Sequence, residues 1–185
     1  MHWYEKLSQY FPIEEMKSQA HIEALLCDHG DIYFKDESPD HVMMYVELDR
    51  FVFVDYLIVS KQARGRGLGR ALLDRLKAKG KPILLEVEPL DYEDTDTVKR
   101  MRFYQREGFR HAEGVVYRRR SLATRKITPL EILYWTPDPS VTEADVYAHM
   151  RDTYRRIHTY RDVHFYGDAY QPVEEVLRLV EAQAA

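Results

Sequence analysis

The stretch that decides the fold is Leu57-Ile58-Val59-Ser60-Lys61-Gln62-Ala63-Arg64-Gly65-Arg66-Gly67-Leu68-Gly69-Arg70. It opens as the end of an almost wholly apolar run, Phe51 to Ser60, the pattern of a strand covered on both faces. It closes as the start of a helix, with Leu68, Leu72, Leu73 and Leu76 on one stripe before Gly80 and Pro82. The join and the first helical turn together hold three glycines and three arginines. Glycine lets backbone approach a ligand closely, and a helix start offers unpaired N–H groups and the positive end of its dipole. Together these suit phosphate oxygens. A tight glycine turn without a ligand is the plainer alternative.

Two phosphate-binding patterns fit poorly. A Walker A loop ends in Gly-Lys-Ser/Thr, which is missing here. The dinucleotide fingerprint needs a third glycine where Arg70 stands, and a first βαβ unit where this chain has a hairpin.

Outward from the turn, His41–Leu48 and Phe51–Ser60 read as a hairpin about Asp49-Arg50. Residues 31–35 read as a short strand, DESPD (36–40) as a loop, 3–11 as a short helix ended by Pro12, and 13–28 as a helix burying Ile13, Met16, Ala20, Ala24 and Cys27. Past Leu68–Lys79, residues 83–88 form a buried strand, 89–96 an acidic loop and 97–107 a helix closed by Gly108. Two strands follow at 114–120 and 129–135. Thr142 and Asp145 form a capping-box pattern ahead of Val146, Met150, Tyr154 and Ile157, and Pro172 can start a last helix carrying Val173, Val176, Leu177 and Val180.

The whole is an α/β (α+β) chain of 185 residues with a helical C-terminal appendage after the linker TPDPS. We expect a domain over 1–136 and an extension over 137–185, packed on that domain or on a partner; a homodimer is one such arrangement. Net charge is −4, so no global polycation points to nucleic acid. No apolar run is long enough to span a bilayer, and one cysteine, Cys27, allows no internal disulfide, which fits a cytoplasmic protein. The histidines at 41, 111, 149, 158 and 164 show no metal-ligand spacing and read as structural or surface residues, so no metal is expected. The basic run Arg118–Arg120 reads as a solvated strand edge, and most of the 14 tyrosines as packing at the core edge.

Here the sequence resembles the GNAT superfamily, the GCN5-related N-acetyltransferases. Arg64-x-x-Gly67-x-Gly69 is similar to its Arg/Gln-x-x-Gly-x-Gly/Ala signature; Gln62-x-x-Gly65-x-Gly67 also fits, but spacing from the strand end favours the first register. Phe103-Tyr104-Gln105-Arg106-Glu107-Gly108-Phe109 looks like the family's F/L-Y-x-x-x-G-F segment, and Glu86 stands where many members carry a glutamate base. The resemblance spans about residues 13–135. It implies a mixed, mostly antiparallel sheet flanked by helices, and acetyl-CoA as cosubstrate with an amine as acceptor. Leu57, Ile58, Val59, Arg64, Gly65, Arg66, Gly67, Leu68, Gly69 and Arg70 would contact the cofactor. Tyr104 would serve the departing thiolate, and Glu86 would act as base or, equally, sit in a salt bridge. Glu88 shares its strand face. Two positions depart from the family: Thr97 replaces an asparagine and Arg100 an alanine. They motivate an alternative, a non-catalytic acyl-CoA-binding regulatory module.

Overall fold

The computed structural model describes residues 2–121 and 123–180. Its elements are α1 (Trp3–Ser8), α2 (Gln19–Asp28), β1 (Tyr33–Ser38), β2 (His41–Glu47), β3 (Val52–Val59), α3 (Leu68–Lys77), β4 (Ile83–Val87), α4 (Thr95–Arg106), β5 (Arg110–His111), β6 (Val115–Arg120), β7 (Ile127–Trp135), α5 (Glu143–Thr153), α6 (Asp162–Tyr166), α7 (Val173–Val176) and β8 (Leu177–Leu179). The strands form one sheet in the order β1-β2-β3-β4-β7-β6-β8, with β5 also on β7. All pairings are antiparallel except β3 with β4.

That exception builds the site. β3 and β4 pair only at Val52–Val54 with Ile83–Leu85, then diverge. In the same place, β2 opposes β3 with a register shift: Met44 faces Tyr56 while Tyr45 faces Val54. Asp55 is the extra residue of this bulge, which bends the strand and re-aims its side chains.

Helices cover both faces. α3 and α4 bury Leu72, Leu73, Leu76 and Tyr104 against Val52, Val54, Leu85 and Leu133. On the other face α1, α2 and the C-terminal segment share a core with β1, β2 and β6. Val146, Met150, Tyr154, Ile157, Val173, Val176 and Leu177 are all buried in it. The Thr142–Asp145 capping box forms. Glu143, the first residue of α5, accepts hydrogen bonds from the backbone N–H groups of Glu113 and Gly114 at 3.0 and 2.7 Å. A Cβ at Gly114 would meet that carboxylate at 2.5 Å and the Val180 carbonyl at 3.1 Å, so a larger residue there would push Glu143 out of this join.

Three expectations are corrected. The helix expected over 13–28 begins at Gln19, with Ser18 as its cap. It buries His21, Ile22 and Leu25, while Ile13 and Cys27 are exposed. Residues 12–17 stay out of it because the Lys17 N–H is bound by the Tyr56 hydroxyl at 2.8 Å and the Lys17 side chain turns into the sheet. The loop expected at 36–40 is strand as far as Ser38. The helix expected from Pro172 lasts one turn; Leu177 is extended, and Leu177–Leu179 add a strand to β6, leaving Val180 exposed. The open edge of β6 gives these residues a ladder that a lone helix end could not match.

Candidate active site

A cavity of about 720 Å³ opens between the diverging ends of β3 and β4. At one end lies the glycine turn. Ser60 caps a single 3₁₀ turn, Lys61–Ala63, and the chain then passes through Gly65 and Gly67 at φ +77° and +78°. Residues with a Cβ rarely adopt that conformation. Nothing lies within 4 Å of where a Cβ would sit on either glycine, so the space in front of the backbone is open. Gly67 is the residue preceding α3, whose first turn leaves its N–H groups without intrahelical partners. Gly69 is constrained differently: a Cβ there would meet the Phe103 ring at 3.1 Å.

Leu57, Ile58, Val59, Arg64, Gly65, Gly67, Leu68, Gly69 and Arg70 all line the cavity; Arg66 is exposed beside it. Arg64 donates from Nε to the Val59 carbonyl at 3.2 Å and lies over the Tyr10 ring at 5.5 Å. The open turn, the unpartnered helix start and the flanking arginines fit a pyrophosphate, and the free edge of β3 fits an extended amide-bearing arm.

Tyr104 also lines the cavity and packs edge-on to Phe109. Burial pushes its phenol well above the ordinary tyrosine range, so it keeps its proton at neutral pH.

Glu86 lines the cavity too, but it is not free. His158 Nε2 is 2.7 Å from Oε1, and Arg119 Nη2 is 3.8 Å from Oε2. Burial would raise its pKa; the His158 contact, Arg119 and Lys17 outweigh burial and hold it at about 2. His158 is itself held down to about 4 by burial and by Lys17, so near neutrality it donates to Glu86 as a neutral ring. Of the two roles open to Glu86, the ion-paired one therefore has its partners in place. Glu88 pairs instead with Arg100, at 3.6 Å.

Beside Glu86, at the β3 bulge, Asp55 forms a second buried cluster. Lys17 Nζ lies 2.6 Å from one oxygen and the Tyr33 hydroxyl donates to the other at 2.6 Å. Burial opposes ionisation of Asp55, but Lys17 wins and keeps its carboxyl below the usual range. Sequence reasoning missed Lys17, Asp55, Arg119 and His158. Two signals were available: an aspartate inside an apolar strand needs a partner, and alternation along β6 turns Arg119 inward with Val115 and Tyr117. The solvated edge expected at Arg118–Arg120 holds only for the outward side chains, since Arg119 is buried. Thr97, at the departure from the family pattern, is buried and ties its hydroxyl to the backbone of the 91–94 loop.

The family description "Acetyltransferase (GNAT) domain" matches residues 28–111. A Bacillus subtilis (strain 168) protein named "Putative acetyltransferase YjbC" is 57% identical over 183 residues, covering 99% of this chain and 95% of that one. Among solved structures, a Bacteroides thetaiotaomicron protein titled "Putative acetyltransferase from GNAT family" aligns with a TM-score of 0.65 at 25% identity, over 89% of this chain and 90% of its own. A Desulfovibrio desulfuricans GNAT-family structure aligns at 0.50 and 19% identity, over 71% and 87%, a likeness of fold alone. With the glycine turn, the parted strands and Tyr104 arranged about one cavity, and with a relative this similar along nearly the whole length, the chain belongs to the GNAT family of N-acetyltransferases.

Proposed function

We propose that this chain moves an acetyl group from acetyl-CoA to a primary amine by direct attack. The observation that carries the proposal is the cavity itself, with the glycine turn at one end, the free edge of β3 along it and Tyr104 beside its floor. The N–C bond to the acceptor forms as the C–S bond of the thioester breaks; the amine gives up a proton and the departing sulfur takes one.

The residues divide that work. Backbone N–H groups at Gly65–Arg70, with Arg66 and Arg70, hold the pyrophosphate. The backbone of Leu57, Ile58 and Val59 aligns the arm, and an N–H near Val59 faces the developing oxyanion. Tyr104, kept neutral by burial, donates to the sulfur. Glu86 acts as a fixed anion. With its pKa held at about 2 it is a weak proton acceptor, so it orients the amine or the water that takes the proton.

The test is release of free CoA thiol from acetyl-CoA as a function of added amine, across small amines and protein amines. Amine-dependent release with a matching acetylated product supports the reading. Binding of acetyl-CoA with no transfer to any of them would favour the regulatory-module alternative.

A further inference from the structure

Arg100 is among the cavity residues that the scheme above leaves idle, and it is the most enclosed of the charged ones on α4. Its side chain is only 18% exposed, and it lines the cavity. It stacks over the Tyr10 and Phe11 rings at 5.6 and 6.0 Å, which fixes the guanidinium in place. Yet its nearest carboxylate, Glu88, is 3.6 Å away, longer than a hydrogen bond.

Two carboxylates of the cavity are engaged elsewhere. Asp55 is held by Lys17 and Tyr33, and Glu86 by His158 and Arg119. Glu15, on the loop beside it, is raised to about 8 by burial and by Glu88, against the pull of Arg100 and Arg119, and no oxygen of it lies within 4 Å of the Arg100 guanidinium. A guanidinium this enclosed, with fork donors to spare, is a receptor for a planar anion.

Its position says which anion. Arg100 and Tyr104 are four residues apart on α4, neighbours on one helix face with about 5–6 Å between Cβ atoms. A group bound by Arg100 therefore lies one helical turn from the residue that serves the sulfur. An amine attacking there and a carboxylate seated on Arg100 would be separated by only a few bonds. We propose that Arg100 is the acceptor-selecting residue and that the acceptor is a small amine bearing a carboxylate close to its nitrogen, an amino-acid-like molecule. This inference rests on the acetyl-transfer reading.

The experiment uses the full chain and matched pairs: amino acids and the amines left when their carboxylate is removed. Products are followed by mass spectrometry, and acetyl-CoA affinity by calorimetry. Acetylation that prefers the carboxylate-bearing member is expected. Arg100→Met should raise the acceptor KM about 10- to 100-fold with acetyl-CoA affinity unchanged, and Arg100→Lys should recover part of the loss. Equal or better use of the decarboxylated amines overturns the inference, as does an Arg100→Met defect confined to acetyl-CoA binding. Acetyl-CoA binding with neither member acetylated also overturns it, leaving the cosubstrate assignment intact. Failure to bind acetyl-CoA at all would instead remove the reading beneath it, and the inference with it.

Discussion

His158 Nε2 and Glu86 Oε1 lie 2.7 Å apart, joining the turn after α5 to the centre of the sheet across 72 residues of sequence. The turn, Tyr154–His158, is π-helical, a wider winding than the α5 helix it continues. Such single turns re-aim side chains at functional places in helices.

The first prediction follows from this pair. His158 is held at about 4, against 6.5 for a free histidine, and His21 at about 3. Between pH 6.5 and those values the unfolded chain takes up protons that the folded chain does not, so stability falls as pH falls. Glu86, at about 2 against 4.5, extends the loss to lower pH, because its pairing is present above 4.5 and lost as pH falls through 2. Glu15, raised to about 8 in the fold, works the opposite way: its contribution is present below 4.5 and lost as pH rises through 8, offsetting one of the two histidines. Urea midpoints measured against pH should therefore fall as pH rises through 8 and also drop below 6.5. His158→Gln should flatten the upper part of that decline while still donating to Glu86. A profile flat down to pH 4.5 would contradict the neutral, buried state of both rings.

The Lys17–Asp55 pair yields the second. Both side chains are under 5% exposed, so removing one leaves a buried charge without its partner. Lys17→Met should cost about 3–5 kcal/mol, and Lys17→Met with Asp55→Leu together should cost much less than the two single changes summed. Chemical denaturation of the four proteins in the cycle measures this. Additive losses would mean the two charges are independent.

Tyr104→Phe removes one oxygen and leaves the ring packed on Phe109. Turnover should fall by about 10²–10⁴-fold with acetyl-CoA affinity preserved. Because burial raises the phenol, the wild-type rate should show no descending limb from this group anywhere in the physiological range. Parallel loss of affinity and turnover would assign Tyr104 to packing alone.

Gly67→Ala places a Cβ at φ +78°, where the space is open but the backbone is strained. The strain should cost about 1–2 kcal/mol of stability. Acetyl-CoA affinity should fall further than that cost explains, since the methyl projects into the space in front of the turn. Thermal unfolding with and without acetyl-CoA separates the two effects: a normal ligand-induced rise in Tm would place the pyrophosphate elsewhere.

The glycine turn, the α3 stripe and the Thr142 cap were legible because their causes are local: positive φ, helical period and a side chain reaching its own helix. The strand at Leu177–Leu179 was not, because its partner, the edge of β6, is more than fifty residues away in sequence. For the same reason the site was only half visible. The cofactor end is one continuous segment, whereas the polar centre pairs Lys17 with Asp55 and His158 with Glu86 across 38 and 72 residues. The helix misread at 13–28 shows the same limit. Ile13 and Met16 fit a helical face by spacing, but Lys17 is taken by a strand residue that no local pattern reveals.

The contact between His158 and Glu86 also bears on how the protein is made. Synthesis runs from the N-terminus, so the glycine turn, Tyr104 and Glu86 all leave the ribosome well before His158. Until then Glu86 lacks that partner, and the core lacks Ile157 and Leu177. The polar cluster around Glu86 closes only once the segment after α5 is in place. A chain ending after Trp135 would therefore leave Glu86 without His158 and one face of the sheet without part of its cover.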